Sequence, residues 1–305
     1  MKLLSEEFLA KYPDAPEHMN ELGSFVFYRT YSRWLPHLNR RETWKEAVAR
    51  AVEYNVGISV KQFEKNKIKP PMDKIKAEAE KLFDNIFNLR QFLSGRTHWV
   101  GGADTKVADK FPLANFNCSF INISNWSDLG ELFYLLLVGT GVGFKSTKEM
   151  AKNMSPIRTD FTLLHSKYNP LPKSQRLERT KLNIMDNGFA KIYVGDSKEG
   201  WVEALDIFFK LLTEREFENI HTIKISYNSV RPKGERLKTF GGTASGHEPL
   251  EEMFEGIKNV LQNTIDPYLS PLEDANVEGV PIGTYKRVRP IHILDIGNLI
   301  GNNVV

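Results

Sequence analysis

The chain has 305 residues, of which 41% are hydrophobic and 26% charged, enough for one large domain or two around a substantial core. Its 41 basic and 38 acidic side chains leave a formal charge of +3, too small for the electrostatic footprint of a nucleic-acid binder. One cysteine excludes an internal disulfide and a cysteine-rich zinc site, and the seven histidines show no metal-ligand spacing. No apolar run reaches the roughly 20 residues of a membrane-spanning helix. The start MKLLSEEFLAKYPDA lacks the apolar core of a signal peptide, so a cytoplasmic protein without membrane association is expected.

The first hundred residues read as helical. Trp44, Val48, Ala51 and Val52 recur at helical spacing after Glu42-Thr43, and Ile75, Ala79, Leu82, Phe83 and Ile86 do so after Pro70-Pro71. The charged, proline-terminated segment from Lys61 to Pro71 reads as the loop between them. Tyr28, Arg29, Tyr31, Arg33 and Trp34 could stack a base, but read more simply as helix-packing core with arginine stems along it.

From about residue 111 the pattern becomes mixed. FNCSF alternates as a strand with Phe116, Cys118 and Phe120 on one apolar face, and Ile121 and Ile123 shift that alternation, which suggests a bulge or the strand's end. On spacing alone, Cys118 is a buried, inert thiol. SDLGELFYLLLV reads as a helix stopped at Gly139, and Gly139 to Gly143 as a tight turn after it. This GxGxG is not a dinucleotide fingerprint, because it follows a helix rather than a strand, and it lacks the Gly-Lys-Ser/Thr ending of a P-loop. Further on, a helix around Glu199 to Leu212 precedes a strand over Thr222 to Tyr227. Ile291 to Ile300 reads as an apolar helix that needs a covering element.

Two segments have the chemistry of an anion site. Ser94-Gly95-Arg96 offers a hydroxyl, a flexible backbone and a guanidinium, the groups that hold a phosphate; a surface turn is the other reading. Gly241, Gly242, Thr243 and Ser245 lie in a glycine-rich stretch ahead of Leu250, Met253, Ile257, Val260 and Leu261, an amphipathic series. Ser245 and Glu248 have capping-box spacing, and Pro249 suits a first helical turn. Backbone N–H groups at such a helix start favour an anion, although a tight loop needing positive φ would use the same residues.

RPKGERLKTFGGTASGHEPL (231–250) resembles a segment of the monomeric, adenosylcobalamin-dependent ribonucleoside-triphosphate reductases, the class II ribonucleotide reductases. In the family's order, so do YRTYSRWLP (28–36), SGRTHWVGG (94–102), FNCSF (116–120), GTGVGF (139–144), EGWVEAL (199–205) and NLIGNNVV (298–305). The resemblance implies an α/β fold, with a mostly helical region over 1–110 and part of a ten-stranded α/β barrel with a helical insertion over 111–305. It implies reduction of ribonucleoside triphosphates to 2′-deoxyribonucleoside triphosphates through a cobalamin-initiated thiyl radical. Cys118 would be one of two reducing thiols. Ser94, Arg96, Asn117, Gly139, Thr140, Gly141 and the 241–245 loop would lie near substrate. His247, where many relatives carry proline, would not be essential.

Adenosylcobalamin would be the cofactor, bound mostly by residues outside this chain. A deoxynucleotide effector would bind in an inserted region, to which the stretch from Lys145 to Glu199 is a candidate contributor, and a thioredoxin-type protein would return electrons. In relatives the other cysteines lie further along. The sequence is therefore expected to be the first part of a longer or split enzyme, joined by a separate C-terminal reductase portion and inactive alone. A rival expectation is a catalytically incomplete nucleotide-binding or assembly module, which the single cysteine favours. A weak nucleic-acid binder, resting on pI ≈ 8.7 and the aromatic-basic clusters, is a third.

Overall fold

The computed structural model describes residues 2–103, 106–237 and 242–304, so Gly241 lies outside the described residues. The described chain forms two compact units, 2–117 and 118–237 with 242–304. No helix among the described residues is long and apolar enough to cross a membrane.

The first unit is mainly helical. Helix α1 (Glu6–Leu9) starts on Ser5, and α2 (Glu21–Val26) starts on Asn20 and runs into a π-helical turn, Phe27–Tyr31. A two-residue ladder follows, β1 (Trp34–Leu35) antiparallel to β2 (Arg40–Arg41). Helices α3 (Trp44–Lys65), α4 (Met72–Phe87), α5 (Gly95–Val100) and α6 (Val107–Lys110) complete it. Thr43 opens α3 with a capping box: its Oγ1 accepts from Glu46 N–H, and its own N–H donates to Glu46 Oε2. Val48, Val52, Ala79 and Phe83 interlock as the core, at the helical spacing the sequence shows.

Two expectations change in this unit. The 61–71 loop is shorter, because α3 runs on to Lys65 while Phe63 still packs against the core. Lys67 then takes φ 58°, and Ile68 N–H donates back to Phe63 O, which closes the helix end. The aromatic-basic cluster is not core: Tyr31 and Arg33 are half-buried, with Tyr31 against the core, while Tyr28, Arg29 and Trp34 are exposed.

The second unit begins with β3 (Cys118–Asn122), α7 (Trp126–Leu137) and β4 (Gly141–Lys145), a strand-helix-strand crossover whose strands pair in parallel. Then come α8 (Lys148–Asn153), β5 (Ile157–Arg158), β6 (Thr162–His165), β7 (Lys181–Met185), β8 (Phe189–Tyr193), α9 (Lys198–Thr213) and β9 (Thr222–Ser226). Strands β6, β9, β8 and β7 form one sheet in that order, parallel except for the β7–β8 hairpin. Helix α10 (Glu248–Leu261), the short strands β10 (Glu273–Asp274) and β11 (Tyr285–Arg287), and α11 (Pro290–Val304) follow. Strand β11 joins β10 to β5.

One core runs through this unit, from Leu129 and Phe133 on α7 through Phe208 and Phe209 on α9 to Phe254 and Ile257 on α10. Arg158 is fully buried at its edge. Its Nη2 donates to the carbonyls of Leu211, Phe217 and Ile220 at 2.7, 3.0 and 3.0 Å, where α9 ends and has carbonyls to satisfy. Helix α11 is not left uncovered as the sequence suggests. It packs on α10, α7 and α8, burying Ile293, Ile296 and Ile300, because its apolar residues recur on one face. Of its large apolar residues, Ile291 and Leu294 on the other face stay exposed.

Candidate active site

The cysteine lies at the start of β3. The strand is regular through Asn122, with no bulge at Ile121 to Ile123, and its register with β4 sets Cys118 opposite Gly141, Phe120 opposite Gly143 and Asn122 opposite Lys145. Side chains alternate across a strand, so these six residues share one face. That face is exposed. The other carries Ile121, Val142 and Phe144 against the core. The expectation of a buried thiol on an apolar strand face is therefore wrong: the strand does alternate, but the face with Cys118 and Phe120 is the one turned from the core. Ile123 and the Ser119–Ile121 side supply the packing instead.

Helix α7 brings the second strand to the cysteine. Its end is the glycine stop that the sequence suggests. Gly139 takes φ 86°, its N–H donates to Leu136 O at 2.8 Å, and Thr140 N–H donates to Leu135 O at 3.1 Å. The tight turn ends there. Gly141 to Gly143, expected to belong to it, are the first residues of β4, because parallel pairing with β3 draws them into extended backbone. A side chain at Gly143 would start 3.2 Å from the Phe120 ring, so glycine lets that ring lie against the neighbouring strand. Thr140 is buried at the turn.

The glycine-rich stretch has a different form from the one expected. Gly234 N–H donates to Ala244 O, Ala244 N–H to Glu235 O, and Leu237 N–H to Gly242 O, so residues 234–237 and 242–244 make a hairpin-like arm with Arg236 bridging Thr243. Gly242 (φ 85°), Thr243 and Ser245 are exposed on the returning limb. Helix α10 starts only at Glu248, behind His247, with Pro249 in its first turn, and the Ser245–Glu248 capping box does not form. Gly246, at φ 91°, turns the chain between them, and the Glu248 carboxylate bends back over it. The Ala244 amide therefore serves the arm, and no capping side chain forms the expected helix start at Ser245.

Two features of the arm's base carry no signal in residue spacing. Arg176 holds Glu235 through two hydrogen bonds of 2.8 and 3.0 Å, while Asp196 accepts from Arg231 Nε at 2.9 Å and lies 3.5 Å from Arg176. The Arg176 guanidinium holds the Glu235 carboxyl below the ordinary carboxylate range. His247 stacks on Tyr168 with ring centres 3.8 Å apart. The partners are tens of residues apart in sequence, which only a fold can bring together.

In the first unit, Ser94 caps α5. Its Oγ accepts from Thr97 N–H at 3.1 Å and lies 2.9 Å from Thr97 Oγ1. The Arg96 guanidinium lies 5.2 Å over the Trp99 ring. Asn117 is exposed immediately before Cys118 in the chain.

Comparison with known proteins shows what carries such an arrangement. The ribonucleotide reductase alpha domain family matches residues 4–103, and the insertion domain family of B12-dependent ribonucleotide reductase matches residues 167–261. A crystal structure of a B12-dependent (class II) ribonucleotide reductase superposes with a TM-score of 0.77 at 25% identity, covering 99% of this chain and 43% of that one. This chain is thus similar to B12-dependent ribonucleotide reductases over nearly its whole length.

The adenosylcobalamin-dependent ribonucleoside-triphosphate reductase of Lacticaseibacillus paracasei is 28% identical over 99% of this chain and 42% of its own length. Those of Lactobacillus gasseri and Lactobacillus leichmannii are also 28% identical, each over 90% of this chain and 41% and 40% of their lengths. The chain thus spans about two fifths of the reductases that it matches.

Proposed function

We propose that this chain supplies one reducing thiol and part of the ribose-facing surface of a ribonucleoside-triphosphate reductase. The observation that carries the reading is the exposed Cys118 thiol directly opposite Gly141 on a parallel pair of strands, in a chain similar to these reductases. A glycine beside the thiol leaves room for a sugar ring to approach the sulfur. In this reading Asn117, Gly139, Thr140 and Gly141 border the ribose. Ser94 and Arg96 serve the phosphates, and Gly242, Thr243 and Ser245 on the arm contribute to nucleotide binding, as does Gly241.

Replacing the 2′ C–OH by C–H takes two electrons. Two thiols supply them, becoming one disulfide while the hydroxyl leaves as water. The chain has one cysteine, so the second thiol comes from elsewhere in the working enzyme. A thioredoxin-type dithiol that restores the pair, a deoxynucleotide effector and a cytoplasmic setting belong to the same reading. The relatives named above are adenosylcobalamin-dependent, and bound adenosylcobalamin would supply the initiating radical. Among the described residues no group of three or more His, Cys, Asp or Glu could hold a free metal ion. No residue of this chain is assigned to the cofactor.

The test is reconstitution with a polypeptide carrying the remaining reductase cysteines, followed by Cys118→Ser. Turnover with an external dithiol should fall to background while nucleotide affinity stays within about threefold. Wild-type turnover by the serine variant would remove Cys118 from the mechanism.

A further inference from the structure

The first unit contains a cavity of about 560 Å³, within the roughly 300–1,000 Å³ of ordinary small-molecule sites. Phe27 and Tyr31, at the two ends of the π-helical turn, line it together with Trp44, Phe92 and His98. Among the described residues, no Asp, Glu, Lys or Arg lines it. Short π-helical segments recur at functional sites, because the extra residue redirects side chains that a regular helix would bury elsewhere.

His98 is the unusual member. It is only 4% exposed, yet neither ring nitrogen has a hydrogen-bond partner. Its ring is held firmly. It stacks on Trp44 at 5.9 Å between ring centres, Tyr31 and Phe92 meet it edge-on at 6.5 and 6.4 Å, and Arg50 Nη2 donates to its carbonyl at 3.0 Å. Trp44 is in turn anchored by its Nε1 to Phe87 O at 3.0 Å. Buried polar groups are almost always paired, and an apolar cavity with a few polar groups is the usual make-up of a ligand site.

We infer that this cavity binds an uncharged, planar nitrogen heterocycle, taken between the aromatic side chains and hydrogen-bonded by the His98 imidazole. The aromatic walls favour a flat ring, and the lack of charged lining disfavours a phosphate or carboxylate inside. Burial, helped by Arg50 nearby, holds the His98 imidazolium down to about 4, so at neutral pH the ring offers one donor and one acceptor. Such a ring could arrive as a nucleoside or as a fused benzo-heterocycle.

The experiment titrates the intact chain with adenosine, with benzimidazole and with indene, a carbocycle of nearly the same shape as benzimidazole without its nitrogens. Binding is followed by the ¹⁵N shifts of labelled histidine and by calorimetry. Saturable binding of adenosine or benzimidazole should shift the His98 resonances, and whichever binds identifies the source. Indene should bind at least tenfold more weakly than benzimidazole. His98→Phe, which keeps an aromatic ring and removes both nitrogens, should cost the heterocycle at least tenfold and leave indene unchanged. Gly23→Trp, which fills the cavity from its lining, should abolish binding with the thermal midpoint retained. Equal affinity for indene and benzimidazole, a His98→Phe variant that binds benzimidazole normally, or no binding of either heterocycle at millimolar concentration overturns the assignment.

Discussion

Cys118 and Gly141 stand opposite each other as the first residues of two parallel strands, on a face with no other side chain at that level of the ladder. The pairing depends on two local events. The cysteine must open β3, and α7 must stop at Gly139 so that Gly141 arrives in register. An exposed thiol faced by a residue without a side chain is open to a ring-shaped substrate.

Gly141→Val tests that opening. A β-branched residue suits a strand, so the unit should still fold. The new side chain would occupy the face opposite Cys118, and overpacking of this kind costs about 1–3 kcal/mol when a partner must fit the same space. Nucleotide affinity or turnover in the reconstituted enzyme should fall about tenfold with an unchanged circular dichroism spectrum. Unchanged affinity and turnover would make the glycine structural.

Ser94 has two roles to separate. As the cap of α5 its hydroxyl satisfies Thr97 N–H, and Ser94→Ala should cost about 0.5–2 kcal/mol of stability. Ser94→Asp caps equally well but sets a negative charge where a phosphate is proposed. The aspartate variant should keep its thermal midpoint and bind triphosphates at least tenfold more weakly than wild type. Normal triphosphate binding by this variant leaves Ser94 as a cap alone.

Asp206 makes the second unit sensitive to pH. Its carboxyl on α9 lies against Gly130 of α7, with Oδ1 unpartnered, and burial raises its pKa to about 6. Between about pH 4, where an unfolded aspartate titrates, and about pH 6, the folded chain holds a proton that the unfolded chain gives up. This contribution is therefore complete below about pH 4 and lost as the pH rises through 6. Asp206→Asn should raise stability near pH 7.5 by about 1 kcal/mol, after discounting for partial solvent exposure. His98 and His292, held down to about 4 mainly by burial, act in the opposite sense: their contribution is whole above about pH 6.5 and is lost as the pH falls from there through about 4. Denaturation of the Asp206→Asn variant across pH 4–8 separates the two trends, and a profile parallel to wild type would deny Asp206 its part.

Arg158 should be the most sensitive buried polar position. Arg158→Met fits the space but leaves the carbonyls of Leu211, Phe217 and Ile220 without their shared donor, and each unmet buried group costs about 1–3 kcal/mol. A loss of about 3 kcal/mol or more in urea unfolding is expected. A loss under 1 kcal/mol would show that other donors reach those carbonyls.

Much of the local structure was legible from residue order. Helices α3, α4, α7, α9 and α10 were read from residue order, as were the start of α3 after Thr43 and the α7 stop at Gly139. Each depends on interactions within a few residues, so the sequence carries it whole. The resemblance in seven ordered blocks reached the family by the same local route.

Tertiary structure decided the rest. Residue order shows that β3 has two faces, but which one meets the core depends on where α7 and α11 pack, and they took the Ile121 side and left Cys118 in the open. Parallel register is equally distant information: Gly141 lies opposite Cys118 because of the helix between them, so what spacing presents as a turn is a strand. The Ser245 capping box gave way to a hairpin arm tied down by Arg176 and Arg231, whose carboxylate partners lie 59 and 35 residues away. Local sequence sets the elements because their hydrogen bonds close within one turn, whereas the exposed thiol arises from burying the larger apolar area elsewhere, a choice made only when the elements pack.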